Sequence, residues 1–154
     1  MNIKNWQYKD EYYVTLYSSI GHFTGKCRLH KEDKKNPQIH FGYEIAESRA
    51  YIKYLKRLRS NYKQRLIGVE TLYNKIKKPI AIDYIYKSEI KDLKYRIKEV
   101  SEEIIECQLF IENSIQNADK VRQNYERNKS NHSRAIKEFN KARDAAAAKL
   151  DNKE

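Results

Sequence analysis

Turn-forming and cross-linking residues are scarce in this sequence. Its 154 residues include only four Gly, two Pro and two Cys. So little Gly and Pro is typical of long helices joined by few loops. Cys27 and Cys107 lie far apart in the sequence, and in a reducing compartment we expect both to be free thiols.

Long apolar segments are missing as well. No run approaches the roughly 20 apolar residues that a membrane-spanning helix needs. The first residues, MNIKNWQYKDEYY, lack the apolar centre of a secretory signal. We therefore expect a cytoplasmic protein without a membrane partner.

Positive charge, by contrast, is abundant and concentrated in one quarter of the chain. The net charge is +11, and residues 41–78 alone hold ten Lys or Arg against three Asp or Glu, a net charge of +7. Within them, RAYIKYLKRLRSNYKQR (49–65) contains seven positive side chains, three Tyr and no acid. A segment of this kind attracts polyanions, and nucleic acid above all.

The first forty residues predict β-structure. EYYVTLY (11–17) is rich in β-branched and aromatic residues. SSIG then offers a turn before a second strand, and residues 1–40 are assigned to a β-hairpin and a loop. In HFTGKCRLH (22–30) every second residue faces the same way: Phe23, Gly25, Cys27 and Leu29.

The remaining residues predict two helices. A basic helix over 41–78 is followed by a linker or short strand over 79–87, and then by a long coiled-coil helix over 88–150 that Ser88 caps. The polar segment RNKSNHS (127–133) predicts a bend or break in this second helix. The expected fold class is α+β, mainly α: an N-terminal β-hairpin packed on a long helical hairpin, forming one structural unit.

The second helix carries the strongest periodic signal. Its apolar residues repeat at coiled-coil spacing and weaken after Ser114. Because this helix is longer than the first, part of its apolar stripe needs another partner, and a homodimer is the simplest solution. The predicted core or dimer seam consists of Ile90, Leu93, Ile97, Val100, Ile104 and Ile111.

The basic helix is the candidate binding site, and two interpretations of it remain open. Its cations either bind nucleic-acid phosphates or pair with acids on the facing helix. The available acids are Glu99, Glu102, Glu103, Glu106 and Glu112. The candidate nucleic-acid-binding residues are Arg49, Tyr51, Lys53, Tyr54, Lys56, Arg57, Lys63 and Arg65.

Three residues of the basic helix need a separate interpretation. Tyr51 and Tyr54 lie outside the predicted seam, and they either stack on bases or pack on the hairpin. Arg59 falls within the seam, where a charge is costly unless it is paired. We therefore predict that Arg59 is a buried ion-pair or interface residue.

The sequence contains no recognisable catalytic constellation. A Gly-rich phosphate loop, an HExxH motif and an ordered Ser/His/Asp set are all absent. We therefore expect a protein that is not an enzyme and uses no cofactor. The best metal candidates are His22, Cys27, His30 and His40, but Cys27 faces the opposite side of its strand and no CxxC motif is present, so we predict no metal site.

A pattern over residues 11–58 resembles one found in small phage and prophage accessory proteins. That pattern is a strand with G-x-A-x-x-H-P-E-D, a loop, and G-x-x-I-A-x-x-R-A opening a helix. This sequence departs from it at Cys27 and Lys31, and the long second helix lies outside it. The matching residues are Gly25, His30, Glu32, Asp33, Gly42, Ile45, Ala46, Arg49 and Ala50.

The resemblance implies a hairpin packed on a helix, encoded by a phage, with no assigned activity. Several small phage proteins of this general kind inhibit host defence, which implies an anti-CRISPR-like role in the host cytoplasm by analogy. The resemblance also implies that Arg49 contacts the hairpin rather than binding a ligand.

The leading functional hypothesis is a non-enzymatic inhibitor of a bacterial defence system. It would bind nucleic acid or a host nucleoprotein complex through the basic helix. One alternative is an oligomeric sponge that sequesters a host signalling nucleotide in a basic, Tyr-lined pocket. The other is a structural coiled-coil adaptor whose charge only keeps it in solution.

Overall fold

A three-stranded antiparallel sheet opens the chain. The computed structural model describes residues 1–28, 39–75 and 80–151. Strands β1 (Asn2–Tyr8), β2 (Glu11–Ser18) and β3 (Gly21–Arg28) lie in the order β1-β2-β3. The predicted hairpin is β2 and β3, and its alternation is confirmed as far as the structure describes it, whereas Leu29 lies outside the described residues.

Strand β1 was not predicted. Its sequence NIKNWQY is rich in Asn, Lys and Gln, which have low β-propensity. A two-residue turn at Lys9 and Asp10, with Lys9 at a φ of 52°, joins it to β2 and sets Tyr8 opposite Glu11. The Trp6 ring stacks on the Tyr13 ring of β2, with centroids 4.0 Å apart. This cross-strand contact stabilises a strand that has little propensity of its own.

Two helices follow the sheet. Helix α1 spans Ile39–Lys75, close to the predicted 41–78, and helix α2 spans Ile80–Asp151. The fold class is therefore α+β, mainly α, as predicted. All of these elements are joined by short connections or by segments outside the described residues.

Two predictions about the second helix are wrong. The segment predicted as a linker or short strand over 79–87 is helical from Ile80 onward, and Ser88 is an exposed residue within the helix rather than its cap. Asp83 lies in the first turn, where a carboxylate is favourable, and it accepts a hydrogen bond from the Tyr73 hydroxyl at 2.7 Å. Residues 127–133 are also helical, so the predicted break is absent, whereas a bend there stays a prediction.

The inner face of the sheet packs on the first half of α1. Val14 and Leu16 of β2 form a buried cluster with Ala46 and Ala50 of α1. Gly25 of β3 lies so close to the helix that a Cβ atom built on it would be 1.9 Å from the Ala46 carbonyl oxygen. The small residues on both sides let the sheet and the helix backbone meet almost directly.

A second cluster joins α1 to α2. Ile52 and Leu55 of α1 pack with Val100 and Ile104 of α2, and Ile111 packs against this group. The predicted seam residues thus serve the core within one chain: Leu93, Val100 and Ile104 are buried, and Ile90, Ile97 and Ile111 are half-buried.

The chain divides into two compact units, Met1–Ile115 and Gln116–Glu154. The second unit is helical through Asp151. Val121, Tyr125 and Phe139, which continue the predicted seam, are exposed in the single chain. The homodimer therefore stays a prediction.

Candidate nucleic-acid interface

Four cations of α1 share one face of the helix. Arg49, Lys53, Lys56 and Lys63 follow one another at intervals of four, three and seven residues, which places them side by side. We call them the α1 cationic line. All four side chains are exposed, and at 1.5 Å per residue the line is about 21 Å long.

The first half of the α1 cationic line holds the sheet. The Arg49 guanidinium donates a hydrogen bond to the Lys26 carbonyl oxygen at 2.7 Å, and the Lys53 ammonium donates to the Thr24 carbonyl oxygen at 2.6 Å. Both carbonyls belong to β3, and none of the strands that the structure describes lies beyond it. Arg49 thus holds the hairpin, as the resemblance implies, and the two cations protect an otherwise open sheet edge.

The second half of the line has no such role. Lys56, Lys63 and the adjacent Arg57 are exposed and form no hydrogen bond or ion pair with any residue that the structure describes. Arg65 differs, because two of its nitrogens donate to Glu89 of α2 at 3.0 and 2.6 Å. The eight predicted binding residues therefore separate into free cations and residues already occupied within the chain.

The acids of α2 do not neutralise the free cations. Glu103 accepts from the Tyr51 hydroxyl at 2.6 Å, and Glu102 lies 3.7 Å from Lys98 on its own helix. Among the described residues, the ion pairs between α1 and α2 are Arg65–Glu89 and Glu70–Lys94. Both lie beyond the end of the α1 cationic line at Lys63. Neither pairing removes charge from Lys56, Arg57 or Lys63.

Arg59 lies at the interface between the two helices. It is half-buried, and its guanidinium donates to the Ser101 hydroxyl of α2 at 3.4 Å. The prediction of an interface residue is confirmed, with a hydroxyl rather than a carboxylate as the described partner.

Tyr51 and Tyr54 belong to the core rather than to the exposed surface. Their rings stack on each other with centroids 5.7 Å apart, and the Tyr54 ring also meets the Phe23 ring of β3 edge-on. Both residues are half-buried. The contact of Tyr54 with Phe23 supports the alternative in which these rings pack on the hairpin, and a role of either Tyr in binding nucleic acid stays a prediction.

The environment of Tyr51 changes its acidity. The hydrogen bond to the Glu103 carboxylate, together with burial, raises the pKa of Tyr51 well above its ordinary value of 10. Since the folded state holds this proton more tightly than the unfolded state, the resulting stability is complete below about pH 10 and is lost as the pH rises above it.

We expect Tyr51→Phe to lower the free energy of unfolding at pH 7 by about 1–3 kcal/mol, because Glu103 loses a charge-assisted hydrogen bond. Above pH 10, the free energy of unfolding of the variant should fall less steeply than that of the wild type. Urea unfolding monitored by circular dichroism between pH 7 and 11 measures both effects. Tyr84→Phe, which changes an exposed Tyr of α2, is the control, and equal pH slopes in all three proteins would contradict the assignment.

The outer face of the sheet was missed by the sequence analysis. It lies opposite the face that packs on α1, and the strand register places Lys4, Trp6 and Tyr8 of β1 beside Tyr13 and Tyr17 of β2. The signal was present as a period of two in NIKNWQY, with aromatic and basic residues at even positions. It was overlooked because β1 was not recognised as a strand.

Other kinds of site are not supported by the described residues. They contain no group of three His, Cys, Asp or Glu side chains that could hold a metal ion. His22 and Cys27 lie on opposite faces of the sheet, and His30 lies outside the described residues. One surface depression of about 470 Å³ is lined by two Tyr but no Lys or Arg: Met1, Asn2, Tyr17, Ser18, Ser19 and Tyr54. Another of about 360 Å³ on α2 is lined by three cations but no Tyr: Glu126, Lys129, Ser130, Ser133, Arg134 and Lys137. Neither combines the cations and the Tyr residues that the nucleotide-sponge hypothesis requires.

Comparison with known proteins places the chain in no family. No protein-family model matches it, and neither a curated protein nor a solved structure does. Among the described residues, neither helix has a stretch apolar enough to span a bilayer.

Proposed function

We propose that this protein is a non-enzymatic nucleic-acid-binding protein whose phosphate contacts come from α1. The observation that supports this most directly is the state of Lys56, Arg57 and Lys63. All three are exposed, close together on one helix, and without a described partner. Between positions 49 and 65 there is also no acid to offset them, so the local field favours a polyanion.

The same proposal includes Arg49 and Lys53 in a secondary role. Each donates one hydrogen bond to a β3 carbonyl oxygen but remains exposed. A guanidinium has five N–H donors and an ammonium has three, so both groups keep donors for a phosphate. The cationic line then offers a track along which a nucleic-acid backbone lies.

A role in blocking bacterial defence is the wider form of this proposal, and it rests on the phage-protein resemblance alone. In that form the bound species is a guide or target strand, or a nucleoprotein that carries one. A plaque assay on hosts with and without a CRISPR system, with this protein expressed in both, tests it directly.

We expect the triple variant Lys56→Glu, Arg57→Glu, Lys63→Glu to lose most of its affinity for nucleic acid. If the three side chains contact three phosphates, the slope of log Kd against log salt concentration should become shallower by about 2, at about 0.7 per phosphate of a single strand. Fluorescence anisotropy of a labelled oligonucleotide between low and physiological salt measures the slope. These three positions avoid Arg49 and Lys53, whose replacement would also release the sheet edge.

The control carries the same change of net charge elsewhere. Lys91→Glu, Lys129→Glu, Lys137→Glu alters three exposed residues of α2 and should change the slope by far less. Equal losses in the two triple variants would mean that only the net charge matters. No binding by the wild type at low salt would rule out the proposal and favour the coiled-coil adaptor.

A further inference from the structure

The outer face of the sheet is an aromatic surface flanked by cations. Trp6 of β1 lies opposite Tyr13 of β2, which pairs with Lys26 of β3, and Tyr17 pairs with His22. Trp6 is 41% exposed and Tyr8 58%, high values for such large apolar rings within a sheet. Across this face, the side chains opposite α1 are Asn2, Lys4, Trp6, Tyr8, Glu11, Tyr13, Thr15, Tyr17, His22, Thr24, Lys26 and Arg28.

We propose that this outer sheet face binds the bases of single-stranded nucleic acid, while the α1 cationic line holds its phosphates. The inference rests on the proposed function and specifies its ligand class. Aromatic rings on a flat surface, with cations beside them, are the groups on which successive unpaired bases stack.

The charges on the face suit a polyanion. Lys4, Lys26 and Arg28 are positive and exposed, and the face holds a single acid, Glu11. That carboxylate accepts a hydrogen bond from the Tyr13 hydroxyl and another from the Lys26 ammonium at 3.2 Å. These contacts lower the pKa of Glu11, but they also cover its oxygens, so its repulsion of a phosphate is reduced.

A flat centre separates two aromatic groups. The Thr15 and Thr24 hydroxyls lie 2.9 Å apart and form the middle row, with the stacked Trp6 and Tyr13 rings on one side. On the other side the Tyr17 and His22 rings meet edge-on, with centroids 4.7 Å apart. Thr15 is buried, and its hydroxyl is already hydrogen-bonded to Thr24. The exposed Lys4 pairs with Thr15 in the same row, so the groups that this row offers a base or phosphate are the Lys4 ammonium and the half-buried Thr24 hydroxyl.

The sheet face and the α1 cationic line meet at the β3 edge. Lys26 and Thr24 direct their side chains to the outer face, while their carbonyl oxygens accept hydrogen bonds from Arg49 and Lys53. A strand whose bases lie on the sheet therefore has cations within reach where its backbone crosses this edge. Both surfaces belong to the same compact unit, Met1–Ile115.

This arrangement selects single strands over duplexes. In a duplex the bases are paired and stacked on each other, so the rings of the sheet cannot reach their faces. The cations alone would bind both forms. A preference for single strands over duplexes therefore distinguishes binding through the outer sheet face from binding through the cations of α1 alone.

The fluorescence of Trp6 can report binding to the outer sheet face, because Trp6 is the only Trp in the chain. We expect its fluorescence to be quenched on titration with a single strand of about 12 nucleotides, a length within the range of known single-strand sites. The same sequence as a duplex should leave the fluorescence nearly unchanged. Both titrations are run with the intact chain at low salt.

The variants test stacking separately from charge. We expect Tyr8→Ala and Trp6→Ala to weaken single-strand binding on the order of 10-fold each, measured by anisotropy of the labelled strand. Tyr84→Ala removes a 77% exposed Tyr from α2 and should leave binding unchanged. Circular dichroism spectra of each variant confirm that the sheet remains folded.

The outcomes separate this inference from the proposed function. Equal affinity for single strand and duplex, with no Trp6 quenching but a loss in the Lys56, Arg57, Lys63 variant, would overturn the sheet-face proposal and leave the basic helix in place. Absence of binding to either form would overturn both. Quenching by the single strand together with losses in Tyr8→Ala and Trp6→Ala supports both.

Discussion

Gly25→Ala should lower the free energy of unfolding by about 3 kcal/mol or more, at the upper end of what overpacking a core costs. The added Cβ would lie 1.9 Å from the Ala46 carbonyl oxygen and 2.5 Å from the Ala50 nitrogen. Both obstacles are backbone atoms of α1, so no side chain can rotate out of the way. The sheet and the helix must move apart, and urea denaturation followed by circular dichroism measures the loss.

Gly68→Ala is the matched control, because the same methyl group enters open space. Apart from the local backbone of α1, no atom lies within 4 Å of its Cβ position, and the residue is exposed in the C-terminal part of α1. We expect this variant to gain up to about 1 kcal/mol, since Gly is a poor helix former. If the two variants lost similar stability, the close approach of β3 to α1 would be wrong.

Leu55→Ala should produce the other large loss, about 2–5 kcal/mol. Leu55 is 1% exposed and packs in the cluster that joins α1 to Val100 and Ile104 of α2. Its truncation leaves a cavity between the two helices that the neighbouring residues fill only in part. Thermal and urea unfolding of the variant both report the change.

Leu72→Ala makes the same substitution on the same helix at a position that is 51% exposed. We expect its stability to stay within about 0.5 kcal/mol of the wild type. A large loss at Leu72 would mean that this surface is covered, for example by a second copy of the chain. The pair of variants therefore also tests the predicted dimer, if the free energy of unfolding of each is measured at several protein concentrations.

The parts of the fold that sequence reasoning predicted are those with a clear period. The alternation at Phe23, Gly25 and Cys27 and the apolar stripe of α2 both reflect which face is buried. Every residue of strand β1 is exposed, so its sequence lacks the alternation of buried apolar and exposed polar residues that identifies a strand. The first turns of α2 were misassigned because Ile, Tyr and Asp there are compatible with either structure, and contacts of Asp83 with Tyr73 decide it.

The candidate site was predictable in composition but not in detail. The sequence identified the basic segment, yet it could not say that Arg49 and Lys53 bind β3 carbonyls while Lys56 and Lys63 stay free. That division depends on where the β3 edge lies along α1, which is a property of tertiary packing. For the same reason the sequence left open whether Tyr51 stacks on bases or packs on the hairpin, whereas in the structure its hydroxyl donates to the Glu103 carboxylate of α2.

The hydrogen bonds from α1 make the two edges of the sheet unequal. The β3 edge is occupied by Arg49 and Lys53, whereas no described strand lies beyond β1. A sheet with two open edges can add strands at both ends and grow into a fibre. This sheet is extended more readily at β1 than at β3, so two copies that paired through β1 would form a symmetric six-stranded sheet. The cations beside β3 thus disfavour growth beyond two copies in any assembly built by strand pairing.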